Sequence, residues 1–185
     1  VKCEGDCHDP SAWSQTKIAD QIWETSTLRF DDTPRAHVAT VAHVINEQNS
    51  TVLTGAYVLC ESGCENADNW IGAGLEPAYQ NLYEAVTIEP EISMDLTSSG
   101  APRIAIIGQD ENVQRRMVYF ACDSSCTADG AFQGIVLSEG NEIGAGLDIA
   151  LDSKDQPRIA YTYDYNIGLM FCGGADCTGD NAPWD

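Results

Sequence analysis

The chain has 185 residues, 43% of them hydrophobic and 21% charged, a globular balance with enough apolar material for one core or for a row of units sharing one. Nine Lys and Arg stand against 29 Asp and Glu, giving a formal net charge of -20 and a pI near 4.1; this repels nucleic-acid phosphates and anionic membranes and leaves cations, basic proteins and neutral glycans as partners. No apolar run approaches the roughly 20 residues that span a bilayer as a helix, and the sequence opens at Val1 without initiator Met or signal peptide, so a processed chain or a fragment of a longer one is expected.

In chain order the sequence alternates short strand-like runs with turns. Residues 1–20 hold a run into Cys3, then Cys7 and Trp13, the closing half of a unit. Residues 26–75 hold a whole unit. Leu28 and Phe30 lie on a first strand, Asp31-Asp32-Thr33 form a turn, and Pro34-Arg35-Ala36-His37-Val38-Ala39 begins a second strand that leads into a longer hairpin through residues 46–51. A third strand, Gly55-Ala56-Tyr57-Val58-Leu59-Cys60, is followed by Cys64 and by a fourth strand from Trp70. Segment 76–92, with Tyr79 and Tyr83, is longer than a simple link and reads as an elongated outer strand or a short helical insertion.

The same order returns in residues 92–138. Met94 and Leu96 precede a Ser- and Gly-rich turn, Pro102-Arg103-Ile104-Ala105-Ile106 alternates, and Met117-Val118-Tyr119-Phe120-Ala121-Cys122 runs into Cys126 and Phe132. It returns again in 146–185, with Ile149 and Leu151, the turn Asp152-Ser153-Lys154-Asp155-Gln156, Pro157-Arg158-Ile159-Ala160-Tyr161, then Leu169-Met170-Phe171-Cys172, Cys177 and Trp184. Each proline stands at the start of its strand, where a missing ladder donor does least harm. Four short antiparallel strands in a unit of about 50 residues describe a blade of a β-propeller. The fold class expected is therefore all-β, with two complete blades (26–75 and 92–138) and two partial ones (1–20 and 146–185). Closed propellers use four to eight blades, so this run belongs to a larger ring or is completed by another chain.

The cysteines carry the strongest signal. They fall as four local pairs, Cys3 and Cys7, Cys60 and Cys64, Cys122 and Cys126, Cys172 and Cys177, each followed by an aromatic, Trp13, Trp70, Phe132 or Trp184. Structural zinc commonly uses two pairs joined by a linker of about 12 to 20 residues, whereas these pairs recur once per unit. One local disulfide per blade, formed in an oxidising compartment, suits that pattern better. No pair is a C-x-x-C motif and no basic residue lies between paired cysteines, which speaks against redox catalysis.

These residues resemble secreted bacterial β-propeller repeats that carry a motif like Leu-Asp-x-x-G-x-P-x-I-A-Y, an aromatic strand ending in C-x3-C, and then Trp. Residues 148–184 match best, 93–137 carry Phe132 in place of Trp, and 27–75 depart most. The resemblance implies fold, a secreted, extracellular or cell-envelope location, and no particular activity.

The chemistry-bearing residues point away from an enzyme. His37 and His43 share a strand face but stand roughly 20 Å apart on a straight strand, too far for one metal; with His8 they read as satisfied or surface histidines. No G-x-S-x-G element or activated Cys occurs. The turns at Asp31-Asp32 and Asp152-Ser153-Lys154-Asp155 offer oxygens suited to calcium, the one cofactor the sequence suggests, although Lys154 opposes a cation. The recurring Arg35, Arg103 and Arg158 are expected to pair with acidic residues of a neighbouring strand or blade and fix its registry. The function expected is a non-enzymatic scaffold for another protein or for copies of itself. A carbohydrate-binding propeller and a propeller glycoside hydrolase or lyase with acidic catalysts are the alternatives.

Overall fold

A computed structural model of the chain describes residues 2–3, 6–9, 11, 13–15, 17–18, 22–45, 51–75, 90–109, 114–140, 142–173, 177–179 and 182–185. The expectation for segment 76–92, with Tyr79 and Tyr83, falls mostly outside them, as do the side chains of Cys3, Trp13 and His43.

The described residues are all-β, with no α-helix. A two-residue pair, β1 (Lys2–Cys3) and β2 (Trp13–Ser14), precedes three larger antiparallel sheets. The first sheet runs β3 (Ile22–Phe30), β4 (Ala36–Ile45), β5 (Thr51–Cys60) and β6 (Trp70–Gly74), each strand beside its sequence neighbour. The second repeats that order with β7 (Glu91–Leu96), β8 (Pro102–Gln109), β9 (Arg115–Ala121) and β10 (Gln133–Glu139). The third has β11 (Ile143–Leu151), β12 (Pro157–Tyr163) and β13 (Asn166–Phe171), and Cys172 bridges to Trp184 where a fourth strand begins in the other two. The sheets are open and do not close on one another.

Alternation of apolar residues along each strand gives every sheet two usable faces. In the middle strands of the second sheet both are buried. Ile104, Ile106, Val118 and Phe120 of the second sheet pack with Ala39, Val41, Tyr57 and Leu75 of the first. Their neighbours Ala105, Ile107, Met117 and Tyr119 face the other way, onto Ile143, Ile149 and Ile159 of the third sheet. The second sheet is thus the filling between two others, which is why its central strands read as nearly continuous hydrophobic runs.

Local chemistry fixes each sheet's outer corner. Disulfides Cys60–Cys64, Cys122–Cys126 and Cys172–Cys177 close the loop after the third strand, and Cys7 is also disulfide-bonded. The aromatic after the loop has a polar reason to be Trp: the indole of Trp70 donates to the Cys64 carbonyl at 3.1 Å, and that of Trp184 to the Cys177 carbonyl at 3.0 Å. Phe132 has no such donor and is instead buried against Tyr57, with ring centroids 5.3 Å apart.

Candidate functional site

The hairpin turns between first and second strands of the three sheets lie side by side, and their residues meet in the seams. In the first sheet Asp31 opens the turn. Its Oδ1 accepts from the Thr33 and Arg35 backbone N–H groups at 2.9 and 3.0 Å, and its Oδ2 accepts from Arg35 Nε at 2.6 Å. Asp152 does the same in the third sheet, accepting from the backbone of Lys154 and Gln156 and pairing with Arg158 at 2.5 Å. This Asx-turn chemistry explains Asp at the head of both turns. The second sheet uses Thr97 there, whose hydroxyl accepts from the Ala101 N–H at 2.9 Å. Its arginine, Arg103, finds Asp123 past the cysteine instead, at 2.6 Å.

Among the described residues the ion pairs of these arginines lie within their own sheets, where the sequence reading allowed a neighbouring strand or blade. Arg35 and Arg158 pair inside their own hairpins. Arg103 and Arg158 also donate to the carbonyls of Cys122 and Cys172, tying the strand start to the disulfide loop of the same sheet. Registry between second and third sheets comes from residues without a sequence signature. Ser93 Oγ donates to Asp148 at 2.8 Å and accepts from the Ile149 N–H, while Asp95 accepts from the Leu151 N–H at 2.8 Å. Asp155 accepts from the backbone and hydroxyl of Ser98 at 2.8 and 2.7 Å. Gly100, at φ +81, lets the second turn approach the first; a Cβ there would stand 3.0 Å from the Arg35 guanidinium.

Two seams result. At the first, His37 is buried on the face shared with the second sheet. Its Nδ1 lies 2.7 Å from the Tyr57 hydroxyl and its Nε2 lies 3.3 Å from Asp31 Oδ2. Burial pulls the imidazole below its ordinary pKa, against the raising effect of Asp31. Burial raises Asp31, but hydrogen bonds from Thr33, Arg35 and His37 outweigh it and hold the carboxyl well below the usual range. Desolvation drives the Tyr57 phenol up. The group is a neutral His between a phenol and an ionised carboxylate.

At the second seam the same ladder position, opposite the residue before the first cysteine, is Arg103, and a cleft of about 440 Å³ stays open between the sheets. Arg103, Asp123 and Gln133 form one wall and Lys154, Asp155 and Gln156 the other, with Tyr119 reaching the floor. Tyr119 packs edge-on against Trp184 with centroids 5.1 Å apart, and Thr178 donates across the cleft mouth to Gln133 Oε1 at 2.9 Å. An acidic recess of about 400 Å³ lies beyond the turns, lined by Asp31, Asp32, Asp95, Asp152 and Asp155 among others. Among the described residues no three His, Cys, Asp or Glu side chains converge as a metal-ligand set. The oxygens of Asp31 and Asp152 that the sequence offered to calcium are engaged by their own turns and arginines. His8 is exposed.

No family model matches the chain, and no curated protein matches it. Among solved structures it is similar to a fucose lectin from Kordia zhangzhouensis in complex with methyl-fucoside, with a TM-score of 0.46 and 12% identity over 87% of this chain and 96% of that one.

Proposed function

We propose that the three sheets are successive blades of a β-propeller, and that the protein is a non-enzymatic extracellular scaffold on which other proteins or further copies of the chain assemble. The blade reading is supported by the order of contacts: β7 lies against both β3 and β11, so the first strands of all three sheets gather on one side, as strands nearest a central axis would. The disulfide loops fit an oxidising, extracellular setting.

The observation that carries the non-enzymatic reading is where the carboxylates point. A general acid at neutral pH needs a carboxyl whose pKa is raised, whereas hydrogen bonds hold Asp31, Asp152 and Asp155 low and tie them to turn backbone, arginine or the neighbouring turn. These acids brace the turns. A crystal structure of the purified protein is expected to show the sheets fanned about a common axis; a flat, linear stack would sink the propeller part. Turnover of any member of a panel of glycosides and polyuronates would sink the non-enzymatic part.

The second seam favours one further reading, carbohydrate binding. Its amide, guanidinium and ammonium groups over an aromatic floor offer hydrogen bonds suited to a polyhydroxylated ligand. On that reading a glycan array gives a signal that Gln133→Ala with Lys154→Ala abolishes. A silent array leaves the scaffold reading alone.

A further inference from the structure

We propose that the cleft between the second and third sheets binds an acidic sugar, a uronic acid, and holds its carboxylate with Lys154, Gln133 and Arg103. The inference rests on the carbohydrate-binding reading of that cleft and narrows it from sugars in general to charged ones. The first seam supplies the comparison. Residues paired across adjacent antiparallel strands share a face, and in the first sheet one such row is His37, Leu59 and Ile71 across β4, β5 and β6. The same row in the second sheet is Arg103, Ala121 and Gln133 across β8, β9 and β10. Leu59 packs into the core of the first seam. Ala121 in its place leaves the middle of the row short, while the residues on either side become a cation and an amide. The opposite wall shows a similar exchange. The third residue of the turn between first and second strands is Thr33, Ser99 or Lys154 in the three sheets. Where Asp opens the turn, that position need only donate its backbone N–H to the Asp, as Thr33 and Lys154 both do. The lysine side chain is therefore not required by the turn, and it lines the cleft.

What this cleft still has to give is hydrogen-bond donation. Asp155 already accepts from the backbone and hydroxyl of Ser98, Gln133 Oε1 from Thr178, and Gln156 Oε1 from Arg158. Asp123 meets Arg103 at 2.6 Å and, being 83% exposed, keeps its second oxygen for a sugar hydroxyl. Among the described residues Lys154 enters no ion pair, and neither its ammonium nor the Gln133 amide nitrogen meets an acceptor. A hydroxyl both donates and accepts, whereas a carboxylate only accepts, so the carboxylate is the better match to unengaged donors. Bonds from a cation to a carboxylate are also roughly twice as strong as neutral ones. Arg103, fixed by Asp123 and the Cys122 carbonyl, adds its charge without having to move. Two of the nine Lys and Arg in a chain of net charge -20 thus line one opening, whose volume of about 440 Å³ is within the usual range of about 300–1,000 Å³ for ligand pockets.

The test is an NMR titration of the intact, oxidised chain with pairs of methyl glycosides that differ only in a carboxylate for a hydroxymethyl group: glucuronide against glucoside, galacturonide against galactoside, mannuronide against mannoside. Sodium acetate is titrated beside them. At least one uronide is expected to bind at least tenfold more tightly than its neutral partner. Lys154→Gln should erase that difference and Lys154→Arg should keep it. Ala121→Leu, which restores the first sheet's residue, should abolish binding of both members of the pair; circular dichroism checks folding, and Ala121→Val replaces it if it misfolds. A neutral glycoside that binds as tightly as its uronide, or a preference that survives Lys154→Gln, overturns the acidic-sugar assignment and leaves the carbohydrate reading standing. Binding that survives the filled cleft overturns the location. Acetate binding as tightly as the uronide overturns the sugar, and no response to any glycoside overturns the assignment together with the carbohydrate reading beneath it.

Discussion

Opposite the residue before its first cysteine the first sheet carries His37, where the second carries Arg103, and the seams they face differ. The imidazole fills the first seam and is satisfied at both nitrogens, by Tyr57 and Asp31. The guanidinium of Arg103 instead lines an open cleft in the second seam, with Asp123 and Gln133 beside it. One framework thus holds a buried imidazole in one seam and an open polar cleft in the next. Sealing has a penalty, because a buried imidazole must stay neutral and partnered.

Four changes break or sharpen that contrast. The largest effect is expected at Phe132, fully enclosed in the sealed seam: Phe132→Ala should lower stability by about 3–5 kcal/mol, seen as a lower denaturation midpoint with an unchanged slope. Trp184→Ala, at the partly buried counterpart, should cost less; equal losses would mean the two seams are packed alike. Next is Tyr57→Phe, which removes the hydroxyl facing the buried His37 Nδ1 and should cost about 1–3 kcal/mol. A change within error would show that water can reach the imidazole.

A smaller effect appears with pH. The folded state holds His37 below its ordinary pKa, so the unfolded chain binds the proton more readily. The stability this contributes is full above about pH 6.5 and declines as pH falls below it. Asp31, held low, adds a further loss only below about pH 4. Titrating stability across the neutral-to-acid range should show the first decline in the wild type and not in His37→Gln. The smallest change is Asp123→Asn in the open seam. Its carboxylate is largely solvent-exposed although it meets Arg103 at 2.6 Å, so the loss should stay under about 1 kcal/mol. Asp31→Asn, in the sealed seam, should cost more, and the reverse ranking would contradict the assignment of the two seams.

The local elements were legible in the sequence because their causes are local. Period-two alternation marks β8 and β12, the cysteine pairs mark the loops that the disulfides close, and the aromatic after each pair marks the return strand. Register was less so. Phe30, Leu96 and Leu151 pair with Ala36, Pro102 and Pro157 across turns of equal length, so the Pro-Arg step of the first sheet lies inside its turn, two residues ahead of its place in the other two. The seams were the least readable. Ser93 and Asp148 meet across a separation of 55 residues, and neither motif nor period announces such a contact. His37 was expected to be satisfied or at the surface, but only the stacked second sheet makes its position a buried one.

The disulfides have a mechanical consequence. Each joins cysteines only four or five positions apart within one sheet, so none of these three ties one sheet to the next. Under a pulling force applied at the two termini the sheets would peel apart in turn, with each bridge withholding only a few residues of contour, at about 3.3–3.6 Å apiece, from the extension. Reductant would lengthen each event slightly and leave their number unchanged. Resistance to force therefore resides in the apolar seams, and the covalent bonds guard the corners.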